Sequence, residues 1–244
     1  MIIWAISRIW NSQKLLPYFL RNYSFCDKII LYDFMSDDNS VEIAKADPLV
    51  DLRQTGKPLE VDILTTTAWI NEVYKEARGQ ADWVMLPDGD EFFYCETGMR
   101  NALQDYMERG VTLPFVTGYN MFHDELPNTD GQLWEKYKQG VPHIMLNKPT
   151  VFNPELEMNF GHGQHGAHPT GNVVRDDTHK IKLLHYRYWG YDDLVDIHVK
   201  LWGRSSTRNK AGGHGGYNPK CKDKDVYNSI PWWEEEKSKR AIVI

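Results

Sequence analysis

Ala81-Asp82-Trp83-Val84-Met85-Leu86-Pro87-Asp88-Gly89-Asp90-Glu91-Phe92-Phe93 runs from an apolar stretch into an acidic corner and straight back to aromatic residues. Residues 83–86 read as a short strand buried on both faces, the kind found inside parallel sheets. In open α/β sheets, ligands gather at the carboxyl ends of such strands, which is where this corner lies. Asp88 and Asp90 are two apart, so extended geometry sends both carboxylates from one face, and Gly89 between them lets a ligand approach the backbone. A hard divalent cation suits that pattern, since it takes one or two protein carboxylates and completes its shell with water and phosphate oxygens. The plainer alternative is an Asp-Gly turn in solvent; the buried strand before it and Phe92-Phe93 behind it argue against that. An EF-hand does not fit, because Phe92 stands at the fifth position and no Gly at the sixth.

Working outward, Ile2-Ile3-Trp4-Ala5-Ile6 and Lys28-Ile29-Ile30-Leu31-Tyr32-Asp33 are further continuous strand-like runs. Between them Leu15, Leu16, Phe19, Leu20 and Tyr23 recur at helical spacing, which makes a β-α-β unit. Cap-forming residues 36–40 precede a short helix over 41–46, and a third strand is expected near Val50-Asp51-Leu52. Helices are expected over 65–78 and 99–109, and a strand over 113–119. Beyond that, His143-Ile144-Met145-Leu146, Thr150-Val151-Phe152 and 181–188 read as strands joined by long loops. The expected fold class is α/β with a mixed, mostly parallel central sheet, in one domain over 1–244. Its first half, 1–110, is the nucleotide-binding half, and 111–244 completes the cleft and ends in a basic loop.

Composition narrows the function. With 41% apolar and 25% charged residues the chain has ordinary globular usage, which excludes collagen-like, disordered and disulfide-scaffold classes. A net charge of -6 gives no global attraction to nucleic acid or an anionic membrane, so no nucleic-acid partner is expected. Cys26, Cys95 and Cys221 form no C-x-x-C pair, so neither a disulfide framework nor a cysteine zinc site is indicated. The chain reads as cytoplasmic: its first apolar run is too short for a signal peptide, and no segment reaches the roughly 20 apolar residues of a transmembrane span. Any membrane contact is expected to be peripheral.

The corner and its surroundings resemble a known family. Asp88-Gly89-Asp90-Glu91-Phe92 resembles the Asp-x-Asp segment of family 2-like glycosyltransferases of the GT-A fold, in the branch whose motif ends Asp-Glu-Phe. Trp10-Asn11 with residues 16–20, Tyr32-Asp33 and residues 36–40, Gly118-Tyr119-Asn120-Met121, residues 148–152, Gly163-Gln164-His165 and residues 183–188 follow in that family's order, up to about Trp202. The resemblance implies transfer of a sugar from a nucleoside-diphosphate sugar, UDP- or GDP-linked, to a hydroxyl on a glycan, lipid-linked or protein acceptor, in glycan or polysaccharide synthesis. It implies that Asp33 contacts the base, Asp88 the ribose or a metal-bound water, and Asp90 a Mn²⁺ or Mg²⁺ ion bridging the diphosphate. His185 is the implied third metal ligand. Ser7, Arg8, Asn11 and Lys148 complete the expected nucleotide-sugar contacts.

The catalytic base is open among Asp124, Glu125 and His165, the acids placed by chain order after the 113–121 strand and the histidine by its Gly-x-His context. An inverting reaction needs such a base in line with the leaving group, and the residues do not choose between inversion and retention. Residues 161–168 hold three histidines among glycines without His-Glu-x-x-His, so a zinc hydrolase is disfavoured. From Lys200 to Lys224 seven Lys or Arg face one acid, Asp223, which reads either as a lid over a diphosphate or as a solvated face. Two other classes compete: a metal-dependent phosphoesterase, which needs a fuller carboxylate set for two metals, and a non-catalytic sugar- or nucleotide-binding module. Of the aromatic residues, Trp83, Phe92 and Phe93 read as core, and Trp10, Tyr119, Tyr186 and Trp189 as candidates for sugar contact.

Overall fold

Ile3–Ile9 (β1) is buried along almost its whole length, because it lies inside a sheet covered on both faces. The computed structural model describes residues 1–58, 60–212 and 232–244. β1 is followed by a helix over Leu16–Asn22 (α1), with Pro17 in its first turn, and by Lys28–Asp33 (β2), which pairs with β1 in parallel. Ser40–Ala46 (α2) leads to Val50–Gln54 (β3), again parallel. The chain then returns through Ile63–Val73 (α3), capped by Asp62, whose carboxylate accepts the Leu64 and Thr65 amides. A 3-10 turn at Tyr74–Ala77 follows, and Trp83–Met85 (β4) pairs on the other side of β1. The strand order therefore reverses at β1, and the crevice between the carboxyl ends of β1 and β4 is a topological switch point.

After β4 the chain leaves this sheet. Glu91–Tyr94 (β5) belongs to a second sheet, and Met99–Glu108 (α4) leads to Leu113–His123 (β6). Leu133–Lys136 (α5), Gln139–Pro142 (β7), Val151–Phe152 (β8) and Arg175–Trp189 (β9) come next. Then follow Tyr191–Arg204 (α6), Thr207–Gly212 (α7), Trp232–Ser238 (α8) and Ala241–Ile242 (β10). β8 closes the first sheet antiparallel to β4, giving the order β3-β2-β1-β4-β8. The second sheet has the order β10-β7-β6-β9-β5, with only β6 and β9 parallel. The fold is thus α/β and Rossmann-like, with a mostly parallel central sheet as expected from the apolar runs.

Three expectations are corrected. Residues 144–146 form a 3-10 turn rather than a strand, because the turn lies directly on β6: a Cβ on Gly118 would come within 2.2 Å of the Leu146 Cβ. The C-terminal portion is not only strand and loop, for α6 and α7 dock on the N-terminal half through Val61, Asp62 and Asn209. Tyr186 and Trp189 are 0% and 3% exposed and belong to the core, so they do not contact a sugar, whereas Trp83, Phe92 and Phe93 are core as expected. Of the cysteines, Cys26 and Cys95 are buried and free, and Cys221 lies outside the described residues. Among the described residues no helix is long and apolar enough to cross a membrane.

His123 ends β6 inside a box of Tyr137, Tyr186 and Trp189, with no hydrogen-bond partner for its Nε2 among the described residues. Burial and then the nearby Arg240 hold it neutral, with a pKa of about 4 against an opposing pull from Asp124. Between the ordinary histidine value near 6.5 and about 4, the unfolded chain takes up a proton that the folded chain refuses, so stability falls as pH falls. Urea melts at pH 7 and pH 5 should show that His123→Phe removes about 2 kcal/mol of the acid-induced loss seen in the parent chain.

Candidate active site

Between Pro87 and Glu91 the chain crosses from the first sheet to the second, and a tight turn makes the crossing. The Glu91 amide donates to the Asp88 carbonyl (2.9 Å), and the Glu91 carboxylate reaches back to accept the Asp88 amide (3.0 Å). The corner is therefore a turn, not the extended segment expected, and its two aspartates face different partners. Asp88 accepts from Arg8 (3.2 Å) on β1 and from Lys148 (3.3 Å). Asp90 accepts from the Arg187 Nε (2.7 Å), and its Oδ2 lies 3.4 Å from the His185 Nε2, both on β9. The Asp90 carbonyl also takes the Tyr186 amide (2.7 Å), which fixes the turn to that strand.

Lys148 is the hub. It is 4% exposed and lies 2.5 Å from Glu91, which is 1% exposed. The loop that carries it is strung between the sheets: Gly118 on β6 donates to the Asn147 side chain, and Leu86 beyond β4 donates to the Thr150 carbonyl. Burial alone would favour the neutral amine, but Glu91 and Asp88 outweigh it and push Lys148 up to about 12. Burial likewise opposes ionisation of Asp88, yet Lys148 and Arg8 bring it down to about 2. Asp90 is held far below the usual carboxylate range, with burial outweighed by Arg187 and His185.

Around the switch point Arg8 also donates to Thr66 on α3 and lies over the Trp69 ring. Ser7 is buried beside it. Asn11, at φ 48°, exchanges two hydrogen bonds with Asp37, which locks the loop after β1 to the loop after β2. Asp33 is 1% exposed and accepts the Ser36 amide, so its carboxylate shapes the second loop from within. Arg204, from the expected basic stretch, stacks on Trp10 at 3.8 Å. Arg208 pairs with Asp62 at 3.6 Å, and residues 213–224 of that stretch lie outside the described residues.

The base candidates separate. Asp124, just past the end of β6, is paired with Lys237 and Arg240, of which Lys237 most lowers its pKa. Glu125 is exposed beside it. His165 instead hydrogen-bonds the Met145 carbonyl through Nδ1 (2.6 Å), two residues from the Asn147 that holds the Lys148 loop, so that Nδ1 is the donor there.

Of the residues expected at the site, Arg8, Asp88, Asp90, Lys148 and His185 lie in one cluster, joined by Arg187, Asn120 and Glu91, which were not among those expected. A signal existed for Arg187: at position i+2 from His185 on a strand it shares that residue's face. Asn120 pairs with His185 across the β6–β9 ladder and contacts its Nδ1 at 2.8 Å, a match that only the register reveals.

No protein-family model and no curated protein matches the chain. Solved structures overlap it in part. A 4-diphosphocytidyl-2C-methyl-D-erythritol synthase is 11% identical, with a TM-score of 0.35 over 63% of this chain and 76% of its own. HddC from Yersinia pseudotuberculosis is 12% identical, with a TM-score of 0.31 over 77% and 78%. The 4-diphosphocytidyl-2C-methyl-D-erythritol synthase from Anaerococcus prevotii is 14% identical, with a TM-score of 0.34 over 63% and 72%. The fold assignment rests on the strand order and register described above.

Removing the Glu91 charge leaves the buried Lys148 ammonium with only its longer contact to Asp88. Glu91→Gln should destabilise the fold by about 3 to 5 kcal/mol in urea melts, and Glu91→Gln with Lys148→Met should recover most of that loss.

Proposed function

We propose that the chain is a metal-dependent glycosyltransferase acting on a nucleoside-diphosphate sugar. The observation that carries the reading is the acidic turn at the β1–β4 switch point, with Arg8, Lys148 and Arg187 gathered around it. An open α/β sheet binds its ligand at such a point, and a diphosphate leaving group gains negative charge that fixed cations in a partly buried cleft stabilise.

Among the described residues no group of three or more His, Cys, Asp or Glu side chains converges as a metal site; Asp90 and His185 supply a partial donor set that water and phosphate oxygens would complete around a divalent ion. Asn120 presents its oxygen to the His185 Nδ1, so that nitrogen carries a proton, and Nε2 stands 3.4 Å from the Asp90 carboxylate. With the imidazole neutral, its Nε2 lone pair and that carboxylate would share a cation. A metal-ligating imidazole characteristically donates its other N–H to a second group, as His185 does to Asn120. Asp90 and His185 would hold Mn²⁺ or Mg²⁺, with Asp88 reaching it through water. When bound, the ion supplies charge neutralisation at the diphosphate.

The chain's own residues do the rest. In this reading Lys148 and Arg187, which flank the turn, would meet the phosphate oxygens, and Arg8 and Trp69 would border the base. His165, its tautomer set by the Met145 carbonyl, takes the proton as the acceptor oxygen bonds to the anomeric carbon. The bond from that carbon to the phosphate oxygen breaks, and its electron pair leaves with the nucleoside diphosphate. Attack and departure on opposite faces invert the anomeric centre.

Thermal melts with UDP or GDP and Mn²⁺ should show stabilisation that needs both nucleotide and metal and vanishes in Asp90→Ala. If neither nucleotide shifts the melting temperature with Mn²⁺ present, the reading is wrong. His165→Ala should lower kcat for transfer by about 10²-fold to 10⁴-fold, the range of a lost general base, while nucleotide binding persists.

A further inference from the structure

A second concavity shares Lys148 with the acidic turn. Lys148, whose ammonium faces Asp88 and Glu91, also lines a cavity of about 230 Å³ together with Phe115, His165 and Arg175. That volume lies below the 300 to 1,000 Å³ usual for drug-sized ligands, so it has room for one ring rather than a chain of rings.

The wall of this cavity is built at a cost in backbone conformation. β9 pairs with β6 at Pro114–Asp176 and resumes at Val116–Ile181, so residues 177–180 bulge out of the ladder opposite Phe115. Within the bulge His179 adopts φ 53°, a left-handed conformation uncommon for a residue with a side chain. Its ring lies 4.2 Å from that of Phe115, and its Nδ1 is 3.1 Å from the Thr117 hydroxyl. Bulges and strained residues of this kind concentrate where a side chain must be aimed. Here the side chain held is Phe115, which stays about a third exposed at 36%. A partly exposed aromatic ring on a cavity wall offers a π face to the C–H groups of a sugar.

The charge in the cavity is one-sided. Asp176 is 6% exposed and is taken by Arg109 (2.8 Å) and by Thr178. Lys148 is balanced by Glu91 and Asp88. Arg175 is exposed and has no ion-pair partner among the described residues, which leaves one guanidinium on the rim of a ring-sized pocket. A planar guanidinium matches a carboxylate or phosphate in two-point geometry.

We propose that this cavity is the acceptor subsite and takes a single pyranose ring carrying a carboxylate or phosphate, with the ring on Phe115 and the anion on Arg175. The proposal rests on the glycosyltransferase reading for its role, since the acceptor hydroxyl must lie between His165 and the donor. The binding claim can be tested without a donor. Saturation-transfer NMR on the full chain, with glucuronate, glucose 6-phosphate and glucose as probes, should show at least one acidic sugar binding about tenfold more tightly than glucose. The arms separate a carboxylate from a phosphate as the anion. Arg175→Gln should abolish the difference while its melting temperature stays at that of the parent chain, and Phe115→Ala should weaken the acidic and neutral sugars alike. Equal response from glucose, no response from either acidic sugar, or an unchanged preference in Arg175→Gln overturns the subsite. Failure of UDP and GDP to bind with Mn²⁺ overturns the transferase reading instead, and the NMR result then stands on its own.

Discussion

The buried pair of Lys148 and Glu91 is the interaction on which the rest of the site depends. Glu91 accepts the Lys148 ammonium with one oxygen and the Asp88 amide with the other, so a single carboxylate sets both the shape of the acidic turn and the position of its principal cation. Such a pair is costly to bury and survives only when its remaining hydrogen-bonding capacity is used. Here it is used at a place where the two sheets meet: Glu91 opens β5 in the second sheet, and the Lys148 loop bridges Gly118 and Leu86. The fold thus couples sheet packing to the geometry of the cleft, since neither sheet can shift without breaking this contact.

Charge balance explains the character of the cleft. Three carboxylates, Asp88, Asp90 and Glu91, stand against Arg8, Lys148 and Arg187, and each cation contacts at least one acid. A closely matched set of charges is stable by itself, and it gathers three cations at one place in the cleft. The overall charge of -6 gives no hint of this. It is the sum over a surface of mostly solvated groups, whereas the cleft is a local arrangement with nearly equal numbers of each sign.

The second sheet supplies what the central sheet lacks. β9 brings His185 and Arg187 to Asp90, while β6 brings Asn120 to orient His185 and Gly118 to seat the Lys148 loop. The same two strands diverge at the 177–180 bulge, next to Phe115 and Arg175. One pair of strands therefore serves both sides of the cleft, through regular pairing at one end and its interruption at the other. At its far end Asp124, paired with Lys237 and Arg240, ties the C-terminal segment to the sheet and has a structural part to play.

Much of the central sheet was legible in the residues, because strands buried on both faces must be apolar throughout and their carboxyl ends must change character abruptly. Residues 2–6, 28–33 and 83–86 show that change, and the last runs into Asp88-Gly89-Asp90, so the α/β class follows from local chemistry alone. Tertiary structure decided the rest. The turn at Asp88 depends on a glutamate pinned by a lysine 57 residues away, and the assignment of Tyr186 and Trp189 to the core depends on packing against Tyr137 and His123. The surroundings of Asp124, paired with Lys237 and Arg240, and of His165, bonded to the Met145 carbonyl, were decided there too. Those properties arise between segments distant in the chain, and a sequence records its local periodicities far more directly than its long-range contacts.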